Sequence, residues 1–69
     1  MLLFSIYTRY LDNPPCNHGI IECPDEHTAM VYAYETAAKV LLEHENDAEV
    51  SCFNDFHDAL FSTVEFWIE

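Results

Sequence analysis

The chain has 69 residues, of which 51% are apolar and 14% aromatic, with thirteen carboxylates against two cations and a formal net charge of −11. One domain is all this length allows, and a chain so short buries only about 60% of the surface its unfolded form exposes. The apolar and aromatic content excludes a disordered acidic tail, and two cations exclude direct binding to a run of phosphates. Three cysteines are an odd number, whereas a small secreted scaffold pairs four, six or eight. With no basic leader ahead of an apolar run, the chain reads as a cytoplasmic protein with reduced thiols and no membrane contact.

Residues 1–11 alternate as an extended strand. Leu2, Phe4, Ile6, Thr8 and Tyr10 share one face, and Leu3, Ser5, Tyr7, Arg9 and Leu11 the other. Asp12-Asn13-Pro14-Pro15 ends the strand, because two successive prolines remove two backbone donors. With His18-Gly19 closing the loop, Gly19–Cys23 reads as a short second strand, the hairpin partner of the first.

Pro24-Asp25-Glu26 marks a helix start, with two acids at the positive end of the macrodipole. Met30, Ala33, Tyr34, Ala37 and Leu41 then recur on one helical face, widened by Ala29, Val40 and His44. The helix is expected to end near Glu45-Asn46-Asp47, where acids oppose the macrodipole. Ala48–Cys52 alternates weakly and reads as a fourth strand or an extended connection. Asn54 is positioned to cap a second helix reaching Phe61, with Phe56, Ala59 and Leu60 inward. Thr63–Ile68 closes the chain as a strand, with Val64, Phe66 and Ile68 toward the core and Trp67 on the side of Glu65 and Glu69. The expected fold class is α+β: a small antiparallel sheet of three or four strands covered by one long and one short helix.

Catalytic and metal-binding chemistry find little support. Cys16, His18, Cys23 and His27 supply four zinc-type donors, but their spacing matches no common finger or knuckle. Cys52 with His57 forms a conceivable nucleophile pair, yet the acidic surroundings disfavour a thiolate. Asp55, Asp58 and Glu49 lack the glycine and alternation of a calcium loop. The chain therefore reads as a non-enzyme with no cofactor and no resident metal.

The remaining feature is the acids. Glu22, Asp25 and Glu26 cluster at the start of the long helix, and Glu35 and Glu43 lie two turns apart on its exposed side. Glu43, Glu45, Asp47 and Glu49 crowd its end, and Asp55 and Asp58 project from the second helix. These ten carboxylates are the expected partner-binding surface. Acids one helical turn apart are spaced about as closely as successive phosphates, so a row of them can occupy a groove built for DNA. A solvated acidic face serving only solubility is the plainer reading.

In size, acidity, one-domain α+β layout and absence of a catalytic set, from Met1-Leu2-Leu3-Phe4 to Phe66-Trp67-Ile68-Glu69, the chain resembles the small acidic phage-encoded anti-CRISPR proteins of the DNA-mimic kind. Within that group it is most similar to inhibitors of type I Cascade complexes, including type I-C. The resemblance implies a phage- or mobile-element-encoded protein acting in the bacterial host. The self-repulsion of its charge argues for a monomer, against which an outward Trp67 argues weakly for a dimer. The protein would occlude the Lys/Arg-lined surface on which the CRISPR effector recognises target DNA. The alternative is an interaction module, such as a toxin-neutralising or phage accessory protein. That module would use an apolar patch of Leu3, Tyr7 and Trp67 on the sheet face away from the helices.

Overall fold

A computed structural model describes residues 1–69. Its elements are β1 (Leu2–Tyr10), β2 (Cys16–Cys23), α1 (Glu26–Glu43), α2 (Ala48–Ser51), α3 (Phe56–Thr63) and β3 (Val64–Ile68). The strands form one antiparallel sheet in the order β2-β1-β3. The α+β class is thus established, with three strands and no fourth.

β1 is the central strand, with its even positions turned toward the helix layer and its odd positions toward an open face. Ile6, Thr8 and Tyr10 are buried beneath α1, as are Cys23 of β2 and Val64 of β3. From α1 the buried residues are Ala29, Ala33, Ala37 and Leu41, an i, i+4 row whose three alanines let the helix lie close on the sheet. Met30, expected inward, is 37% exposed, because the alanine row and not the Met30 side turns to the sheet. Leu60 of α3 is fully buried, and Leu41, Val50, Ala59, Leu60, Val64 and Tyr10 form a continuous core at this end. The result is a thin plate of one sheet layer and one helix layer, 40 × 23 × 15 Å. Thirteen residues are buried, while eleven large apolar side chains stay exposed, so much apolar surface faces solvent.

Several sequence expectations are corrected. β1 ends at Tyr10, and Leu11 turns the chain with a left-handed φ of 53°. β2 begins at Cys16 and not Gly19, because the β1 ladder continues to a Thr8–Cys16 pair. That extension needs a register shift opposite Ser5 to Tyr7, beside which Gly19 sits at φ 103°, a conformation that favours glycine. Ala48–Ser51 is a helical turn, not a strand. Asp55, not Asn54, caps α3, accepting from the His57 backbone N–H at 2.8 Å. Phe56, the first residue after the cap, is 43% exposed and not inward. α3 runs past Phe61 to Thr63, so the closing strand starts at Val64 and not Thr63. Its faces are as expected, with Val64 buried, Phe66 and Ile68 half-buried, and Trp67 on the other side. No helix is long and apolar enough to cross a membrane.

Candidate functional site

The fold places nine of the ten acids at the two ends of α1 and leaves Glu35 at its middle. Asp25 is the N-cap of α1, accepting from the Thr28 backbone N–H at 2.7 Å, and that bond holds its carboxyl below the usual range. Glu26 occupies the first turn beside it, and Glu22 lies in β2 opposite Leu3, on the uncovered face of the sheet. Glu35 sits mid-helix, pointing away from the sheet, with Lys39 one turn on, between it and Glu43. This cation interrupts the row, so α1 carries no continuous acidic ridge. The other six acids gather where α1 ends. A rise of about 1.5 Å per residue sets them roughly 25 Å from the first cluster.

At that end Glu43 closes α1, Glu45 and Asp47 occupy the following turn, Glu49 lies in α2, and Asp55 and Asp58 start α3. All are exposed except Asp47, which is half-buried. Asp47 stands at the N-cap position of α2 without capping it, since its carboxylate is engaged elsewhere. The Tyr10 hydroxyl donates to Asp47 Oδ2 at 2.9 Å, and His44 Nδ1 lies 3.1 Å from the same oxygen. Burial, the Asp47 bond and the charges of Asp47 and Glu49 push the Tyr10 phenol up to about 12. The remaining acids of this end have no countercharge within 4 Å, because the ion pairs of the molecule are Arg9–Glu65 and His44–Asp47.

The fold also brings two of these acids together across an apolar pocket. Between the end of α1, α2 and the start of α3 lies a pocket of about 250 Å³. Its walls are Leu41, Leu42, Val50, Phe53, Phe56 and Ala59, with Glu45, Ser51 and Asp55 among them. Sequence reading missed this pocket. It exists because Ala48–Ser51 is helical and turns Val50 inward beneath Leu41 and Ala59.

A second surface is the uncovered face of the sheet. The register sets Tyr7 beside Trp67, and their rings stack at 5.7 Å with planes 7° apart. Leu3 (66% exposed) and Ile20 (69% exposed) extend this patch, which Arg9, Glu22, Glu65 and Glu69 surround. Arg9 pairs with both carboxylate oxygens of Glu65.

The residues considered for metal or nucleophilic chemistry do not converge. Cys16 and Cys23 occupy opposite ends of β2, about 23 Å apart at strand rise. His18 is hydrogen-bonded to Thr8 at 2.6 Å. Cys52 donates to the Glu49 carbonyl, whereas the His57 ring meets the Tyr34 hydroxyl at 2.9 Å. No group of three or more His, Cys, Asp or Glu is arranged to hold a metal ion. His57 instead joins an aromatic cluster with Tyr34, Phe61 and Phe66, at centroid distances of 5.7–6.2 Å.

Comparison with protein-family models, curated proteins and solved structures found no match. The functional reading therefore rests on the chain's own chemistry.

Proposed function

We propose that the chain is a non-enzymatic, DNA-mimicking inhibitor that binds a basic DNA-recognition surface of another protein. The partner class is a CRISPR effector (Cascade) complex, and the consequence of binding is loss of its access to target DNA. The carrying observation is the gathering of Glu43, Glu45, Glu49, Asp55 and Asp58 from three elements at one end of the molecule without countercharge.

The energetics favour such a use. A basic channel keeps bound anions, and fixed carboxylates that replace them release those ions to solution, so affinity falls steeply with salt. Helix stability alone would select Lys or Arg in the last turn of α1, and that turn has no basic residue. The acids that hold local structure, Asp25, Asp47 and Asp55, are distinct from Glu43, Glu45, Glu49 and Asp58, which make no side-chain hydrogen bond.

The test is competition. A purified type I-C Cascade complex is titrated with the protein in the presence of labelled target duplex. Displacement of the duplex, weakening between low and moderate salt, is the expected outcome. Simultaneous binding of duplex and protein without mutual loss contradicts mimicry.

The uncovered sheet face favours a second reading, an interaction module that docks through Leu3, Ile20, Tyr7 and Trp67. Under that reading Leu3→Ser with Ile20→Ser abolishes partner binding, whereas neutralising the acids at the end of α1 does not.

A further inference from the structure

We infer that the pocket between α1, α2 and α3 receives one apolar side chain from a partner segment in which that side chain is flanked by Lys or Arg. The inference rests on the basic-partner reading and adds to it a protein-specific anchor that DNA does not possess.

Size and lining define the occupant. At about 250 Å³ the pocket is smaller than the roughly 300–1,000 Å³ of small-molecule sites and suits a single aliphatic side chain. Leu42 and Phe56, 54% and 43% exposed, carry its apolar lining out to the surface. Water gains nothing from such walls, and an entering leucine or methionine would bury them.

Charge then selects among apolar occupants. Glu45 and Asp55 stand in the walls, and Glu49 and Asp58 lie on the same short helices. A neutral apolar segment docking here would strip water from carboxylates and offer them no partner. An acidic one would be repelled. A segment with cations on both sides of its apolar anchor satisfies walls and rim together. A second copy of this chain has no such segment, because its only cations are Arg9, committed to Glu65, and Lys39, within α1.

The experiment uses two fluorescently labelled peptides, one with a single central Leu between Lys-Arg repeats and one with Ser in its place. Binding to the intact chain is read by anisotropy at low and moderate salt, and the Val50 and Ala59 methyl resonances are followed in parallel. The leucine peptide is expected to bind about tenfold more tightly than the serine peptide and to shift those methyls. Leu42→Ser with Phe56→Ser, both at exposed positions, removes that difference and leaves the serine peptide's affinity unchanged. Equal binding of the two peptides, with methyl resonances unmoved, overturns the pocket and leaves the basic-partner reading standing. Affinity that is insensitive both to salt and to Glu45→Gln with Asp55→Asn overturns the basic-partner reading and this inference with it.

Discussion

Tyr10 and His44 stack with ring centroids 3.9 Å apart and planes 6° from parallel, and both reach the same oxygen of Asp47. One residue ends β1, another closes α1, and the third starts α2. This small polar cluster therefore fixes the geometry of the acidic end.

Tyr10→Phe removes the hydroxyl and leaves the ring stack. The expected result is a fall in Tm of about 5–10 °C with the fold retained, read by thermal circular dichroism. The alkaline limb also changes. The folded phenol titrates near 12, above its ordinary 10.0, so its contribution is complete below pH 10 and is lost as pH rises toward 12. Wild type should lose stability across that window, and Tyr10→Phe should lose less.

Asp25 has the opposite sign. Its carboxyl is held below the ordinary 3.8 by the Thr28 N–H, so its contribution is present above that value and disappears as pH falls through the lower, folded one. Asp25→Ala is expected to lower Tm by about 5 °C at pH 7 and to flatten the acid limb. Asp25→Asn, which still accepts the capping bond, should recover much of the loss at pH 7.

Leu11 adopts φ 53° at the end of β1, a region costing a non-glycine residue about 1–2 kcal/mol. Its side chain is 38% exposed, so little packing is at stake. Leu11→Gly should be neutral or stabilising in urea denaturation. A loss of stability would mean that the side chain packs more strongly than its exposure implies.

The long-range logic of the fold was legible where periodicity was strong. Alternation along β1 assigned its two faces, and Pro24-Asp25-Glu26 marked the start of α1. What escaped was decided by partners distant in sequence. Cys16–His18 is a strand because β1 offers it a ladder, although the preceding prolines read as a loop. Ala48–Ser51 is too short for any period to distinguish a helical turn from a strand. The acids and their two clusters were legible in the sequence, but the apolar pocket lined by Glu45 and Asp55 was not. Nor was the commitment of Asp47 to Tyr10, 37 positions earlier. The His44 to Asp47 spacing of three was the one local hint of that cluster.

Self-repulsion should be measurable in the free protein. Of thirteen carboxylates, only Glu65 meets an Arg or Lys within 4 Å. Added sodium chloride should therefore raise Tm, most steeply at low ionic strength, where screening changes fastest. A falling Tm would mean that attractive pairs dominate.

The most direct test of the central claim is the affinity of the chain for a type I-C Cascade complex, before and after neutralising four acids that make no side-chain hydrogen bond. Glu43→Gln, Glu45→Gln, Glu49→Gln and Asp58→Asn leave the caps and the Asp47 cluster intact. At roughly 0.2–1 kcal/mol per surface charge, the combined variant should bind about four- to several-hundredfold more weakly and respond less to salt. A folded variant that binds as tightly as wild type, with the same salt dependence, would contradict the account.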